Sequence, residues 1–146
     1  MFIGSYQHSI DEKGRVIIPS RFREGLGNRP VITRGLDQCL FLFPLDEWEK
    51  QSRELASLPL SKADARAYSR LFFAGAAECE LDKQGRIMIP TYLRDYAKLE
   101  RDVVIIGVSS RIEIWALESW QEYSRQAEAS YEEIAEHLVG IGQGIT

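Results

Sequence analysis

Two short stretches hold the residues best placed to do chemistry. Asp11 and Arg15 stand four positions apart across Gly14, and Asp82 and Arg86 repeat the arrangement across Gly85. A carboxylate that close can hold part of a guanidinium fork and leave its other N–H groups for a phosphate or a guanine edge, which arginine engages bidentately. Three readings of the pair stand open. The ion pair can simply fix a turn, worth at most about 1 kcal/mol when exposed. The aspartate can instead orient the arginine toward DNA. Metal binding by the lone aspartate is the third, and the neighbouring cations oppose it.

The elements that must position these loops are written twice. Ile10-Asp11-Glu12-Lys13-Gly14-Arg15-Val16-Ile17-Ile18-Pro19-Ser20 matches Leu81-Asp82-Lys83-Gln84-Gly85-Arg86-Ile87-Met88-Ile89-Pro90-Thr91 at an offset of 71. After a one-residue slip the match resumes at 72, pairing Arg29, Val31, Gly35, Leu40, Leu45 and Trp48 with Arg101, Val103, Gly107, Ile112, Leu117 and Trp120. A repeat of this length is one supersecondary unit used twice.

Each copy reads the same way. The loop glycine suits a positive φ at a hairpin tip. The apolar runs after it, 16–18 and 87–89, are strands closed by Pro19 and Pro90, which cannot donate to a ladder. Ser20 and Thr91 suit an N-cap, and Phe22 with Leu26, like Leu93 with Ala97, marks one face of a short helix. Two strands follow in each copy (31–34 and 40–43; 103–108 and 112–115). Helices then start near Leu45 and Leu117, with Tyr131 and Ile134 lengthening the second pattern. The expected fold is α+β, a pseudo-twofold tandem repeat of β-β-α-β-β-α units sharing one core, because a single copy buries too little surface alone. The expected organisation is one structural domain, 1–146. Within it lie a first repeat 5–48, a helical connector 49–75 with a helix at 63–73, a second repeat 76–120, and a C-terminal helix and tail 121–146.

Composition narrows the function. A chain of 146 residues, 45% hydrophobic, can bury a real core. Its apolar stretches, 40–45 and 103–108, fall far short of the roughly 18 to 20 residues of a membrane span. No export leader pattern opens the sequence, and Cys39 and Cys79 read as packed thiols, so a reducing cytoplasm is expected. His8 and His137 lie beside no nucleophile motif. No enzyme activity, cofactor, metal or small-molecule ligand is expected. The net charge is −4, yet residues 1–35 carry +3 and residues 118–146 carry −5. A basic front and an acidic back fit oriented binding to an anion. Lys13 and Lys83 would add phosphate attraction. Arg21, Arg23 and Arg94 are equally readable as solvated faces or phosphate contacts. Trp48 and Trp120, at matched apolar positions, read as core rather than base-stacking platforms.

The opening Met1-Phe2-x-Gly4, both Asp-x-x-Gly-Arg loops with their Ile-Pro endings, and Pro44-Leu45-x-x-Trp48 resemble the MraZ family over nearly the whole chain. That resemblance implies a tandem relative of the AbrB-type swapped-hairpin regulators, a β-barrel with peripheral helices. It also implies a bacterial transcription factor in the nucleoid. Such a factor represses the division and cell-wall operon containing its own gene, and it reads direct repeats in promoter double-stranded DNA as a ring-like homo-oligomer. The family's Asp-x-x-x-Arg motif falls on Asp11 to Arg15 and Asp82 to Arg86. Gln84 stands where the first loop has Lys13, so the two loops are expected to contact DNA unequally. The competing reading from another class is an oligomeric scaffold whose basic loops meet an acidic protein partner.

Overall fold

A computed structural model describes residues 1–139; the tail expected at 140–146 lies outside the described residues. The first copy runs β1 (Ser5–Ser9), β2 (Arg15–Ile17), α1 (Ser20–Leu26), β3 (Val31–Arg34), β4 (Leu40–Phe43) and α2 (Leu45–Ala56). The connector forms α3 (Ala63–Ala74). The second copy runs β5 (Ala77–Glu78), β6 (Arg86–Met88), α4 (Thr91–Tyr96), β7 (Asp102–Val108), β8 (Arg111–Ala116) and α5 (Leu117–Ala129), followed by α6 (Tyr131–Val139). The β-β-α-β-β-α order expected for each copy is present.

The copies are interleaved. Six strands form one antiparallel sheet in the order β1-β7-β8-β4-β3-β5, so the first strand of each copy pairs with the third strand of the other. That order reads the same from either end once equivalent strands are exchanged, with the pseudo-twofold axis between β4 and β8. The second strands leave this sheet and pair with each other as a two-stranded ribbon, Arg15 opposite Met88, Val16 opposite Ile87 and Ile17 opposite Arg86. Val16 and Ile87 are themselves equivalent residues, so the same kind of axis passes between them. The hairpin tips lie at Gly14 and Gly85, and the bridge between Ile10 and Val16 closes the first of them. The ladder partner of β2, however, comes from the other copy.

Strand alternation explains why both sheet faces are covered. Leu40, Leu42, Val103, Ile105, Ile112 and Ile114 point to one side, where Val16, Ile18, Phe22, Leu26, Ile87, Ile89 and Leu93 complete the main core. Phe41, Phe43, Val104, Ile106 and Trp115 point to the other, under α2, α3 and α5. A sheet buried on both faces needs continuous apolar runs, as 103–106 provides. Trp48 stacks on Phe72 with ring centroids 5.3 Å apart, and Trp120 meets Trp115 edge-on at 5.2 Å, so both recurring tryptophans serve packing. Cys39 and Cys79 are buried free thiols, and burial pushes Cys79 up to about 12.

The symmetry is broken on the axis itself. Phe41 faces its equivalent Glu113 at the centre of the β4–β8 ladder. Glu113 is buried, and its carboxylate accepts from Trp115 Nε1 at 3.0 Å and Arg111 Nε at 3.0 Å. The same guanidinium covers the Phe41 ring at 4.6 Å, so the buried charge is fully partnered.

Two local expectations need correction. Ser20 and Thr91 begin their helices but do not cap them; the cap positions are Pro19 and Pro90, without side-chain caps. The proline carbonyls close the first turn instead, accepting from the Phe22 and Leu93 amides at 2.9 and 3.1 Å. The long C-terminal helix is broken at Ser130, whose φ of −114° lies outside the helical range. Tyr131 and Ile134 therefore extend no packed face and are exposed.

Candidate nucleic-acid interface

Both loops are built alike, atom for atom. The Asp11 carboxylate accepts from the Lys13 and Arg15 amides at 2.9 Å each through Oδ1, and from Arg15 Nε at 2.8 Å through Oδ2. Asp82 accepts from the Gln84 and Arg86 amides at 2.9 Å and from Arg86 Nε at 2.7 Å. The aspartate thus satisfies backbone donors of the turn and fixes the arginine by one edge. Among the described residues, the terminal nitrogens of Arg15 and Arg86 make no hydrogen bond. They are the donors an incoming phosphate or base edge would meet.

Three hydrogen bonds to each carboxylate favour its charged form. The Arg15 amide above all, with the Arg15 side chain and the Lys13 amide, holds Asp11 below the usual carboxylate value, and the Arg86 amide does the same for Asp82. Because the folded value is lowered, the loops are fully ordered above the ordinary aspartate value and lose that order as pH falls through the lowered one. An acid titration followed by amide NMR should show the Lys13, Arg15, Gln84 and Arg86 signals moving together. Their midpoint is expected below that of an aspartate in an unstructured peptide; a midpoint at or above it would contradict the geometry.

Arg23 and Arg94 read from the sequence as solvated or phosphate-facing; neither is fully solvated. Each is half-buried and reaches the loop of the opposite copy. Arg94 donates through Nε to Ile89 O at 3.0 Å and lays its guanidinium against Gly14; Arg23 donates to Ile18 O at 2.8 Å and lies against Gly85. A Cβ on Gly14 would sit 2.8 Å from Arg94 Cζ, and one on Gly85 would collide with the Arg23 guanidinium. The backbone repeats the crossing, the Ile18 amide donating to Gly85 O at 2.9 Å and the Ile89 amide to Gly14 O at 2.8 Å. Each loop is therefore completed by the other half of the chain. Gly14 has a φ of 84°, and a Cβ there would have to displace the Arg94 guanidinium. Gly14→Ala should destabilise by about 1 to 2 kcal/mol through backbone strain and dislodge Arg94. Lower denaturant resistance together with a shifted Arg94 Nε resonance is the expected readout; a variant as stable as the parent would contradict it.

Lys13, Lys83 and Arg21 are exposed, with side chains free to meet solvent anions. Two residues escaped the reading of the sequence. Ile17 and Met88 belong to apolar strand runs, yet they lie on the outward face of the β2–β6 ribbon, opposite Arg86 and Arg15, and are 41% and 57% exposed. The signal available was the period-two alternation around buried Val16 and Ile87.

These features describe a kind of protein: a duplicated, strand-swapped α+β module that presents two equivalent arginine loops from one ribbon. The family model described as "MraZ protein, putative antitoxin-like" matches residues 1–71 and again 72–141. The chain belongs to the MraZ family. It is 63% identical over 99% of its length to the whole of a "Transcriptional regulator MraZ" from Pelotomaculum thermopropionicum. A protein of the same name from Caldanaerobacter subterraneus subsp. tengcongensis is 60% identical over 94% of this chain and 96% of its own. One from Desulforamulus reducens is 57% identical over 97% and 99%. A solution structure from Pyrococcus horikoshii aligns at 14% identity and a TM-score of 0.31, covering 78% of this chain and 88% of its own, too slight a likeness to bear on function.

Proposed function

We propose that this protein is a sequence-specific DNA-binding transcriptional regulator of bacteria, acting in the cytoplasm at the nucleoid. Arg15 and Arg86 touch DNA, Asp11 and Asp82 orient them, and Lys13 and Lys83 attract phosphate. The observation that carries this reading is the identical tethering of the two arginines by one edge, which leaves the rest of each fork open for bidentate contact. The family's regulators lend it weight. Arg21 adds phosphate attraction from α1, and Arg23 and Arg94 hold the loops in place through Nε while offering their remaining N–H groups to phosphate.

The chain acts as a homo-oligomer, ring-like in the family manner, on direct repeats upstream of the division and cell-wall operon containing its own gene, which it represses. Oligomerisation reconciles DNA binding with the negative net charge. Repeating the basic loop edge toward DNA multiplies phosphate contacts while the acidic helices α5 and α6 stay outward. The test is a titration on that upstream duplex at several salt concentrations against an unrelated duplex. Preference for the upstream duplex is expected. Equal binding to both, with an acidic protein occupying the loops instead, would overturn the assignment in favour of a scaffold.

A further inference from the structure

The outward face of the ribbon carries more than arginine. Alternation along β2 and β6 turns Val16 and Ile87 inward and Arg15, Ile17, Arg86 and Met88 outward. In the ladder Arg15 stands opposite Met88 and Ile17 opposite Arg86. Four outward side chains thus form a checkerboard of two cations and two large apolar groups, arranged about the pseudo-twofold axis. Exposing an isoleucine and a methionine here is unfavourable in the free protein, since each leaves apolar surface in water. Neither side chain joins either hydrophobic core.

A two-stranded ribbon fits the major groove of duplex DNA. In that groove, phosphates and guanine edges suit the arginines, and the one apolar group on a base edge is the thymine methyl. Resting on the DNA-binding reading above, we infer that Ile17 and Met88 are specificity residues that pack against thymine methyl groups, each beside the arginine that faces it across the ribbon. The charge of Arg15 and Arg86 favours this occupant over another apolar surface, because a purely apolar partner would bury the terminal N–H groups that their aspartates leave open without offering an acceptor. The two halves differ here. A branched, stiff isoleucine stands in one and an unbranched, adaptable methionine in the other, so the Ile17 contact tolerates less displacement of its methyl than the Met88 contact.

The experiment uses the full chain and two duplexes from upstream of its own gene. One is natural; the other has deoxyuridine for every thymine in the protected stretch, which removes only the methyl groups. Wild type is expected to bind the deoxyuridine duplex more weakly, by about fourfold for each packed methyl removed. Ile17→Ala plus Met88→Ala should bind both duplexes equally, at the level of wild type on deoxyuridine. Its far-ultraviolet circular dichroism and melting temperature should match the parent, since both residues are exposed. Equal binding of the two duplexes by wild type, or a preference retained by the variant, would overturn the inference while leaving the DNA-binding reading intact. A change of oligomeric state in the variant would also overturn it, assigning this face to contact between copies. Failure of wild type to prefer either duplex over unrelated DNA would instead remove the reading on which the inference rests.

Discussion

Arg15→Ala combined with Arg86→Ala is expected to lower affinity for the upstream duplex by at least about thirtyfold, since each bidentate arginine contact is worth about 1 to 3 kcal/mol. The effect per subunit is multiplied wherever several subunits engage one operator. Removing two phosphate-facing cations should also flatten the plot of log affinity against log salt by about 0.9 for each phosphate no longer neutralised. The variant should remain folded. Among the described residues each arginine side chain hydrogen-bonds only to the aspartate of its own loop, and the turn keeps its two amide bonds to that aspartate. Single variants report each half separately, since each loop brings two cations, Lys13 with Arg15 and Lys83 with Arg86. A folded double variant with undiminished affinity would rule out the loops as the DNA-reading element.

The second large effect concerns the crossing itself. Ile87 is 1% exposed and faces Val16 where the two copies meet in the ribbon. Ile87→Ala should destabilise by about 2 to 5 kcal/mol through reduced burial and the cavity left behind. For a chain of this size that is a fall in melting temperature of roughly 5 to 15 °C. Both copies should unfold together, because β1 lies in the ladder of β7 and β5 in that of β3. The tryptophans report this directly. Trp48 packs on Phe72 beside the first copy, and Trp115 with Trp120 packs within the second. Fluorescence and circular dichroism should trace one coincident transition in parent and variant alike; two separated steps would show that the copies fold independently.

Much of this architecture was legible in the chain because duplication and side-chain period are local properties. The offset of 71 identified the paired loops, the prolines at 19 and 90 ended their strands, and Leu45 and Leu117 marked where helices begin. Where reading faltered, the missing information was a competing partner. Ser20 and Thr91 have N-cap chemistry, but the preceding proline carbonyls close the turn first. Tyr131 and Ile134 continue a helical period across Ser130, yet no sheet surface extends far enough to bury them. Arg23 and Arg94 look like any surface cations on a short helix, since nothing nearby in sequence announces the glycine each one covers.

The order of residues alone dictates that two equivalent Asp-x-x-Gly-Arg turns exist, each followed by a short strand and helix, and which positions are apolar. Backbone preference of glycine and proline, and the alternation of large apolar side chains, suffice for that. Three outcomes waited on the folded chain: β2 pairs with β6 along its length, Arg94 completes the loop of Arg15 and Arg23 the loop of Arg86, and Ile17 and Met88 face outward between them. They depend on contacts between residues about seventy positions apart, whose pairing follows from burying both copies in one core. A repeat states what each half contains; which half supplies the partner strand is set by the burial that the halves achieve together.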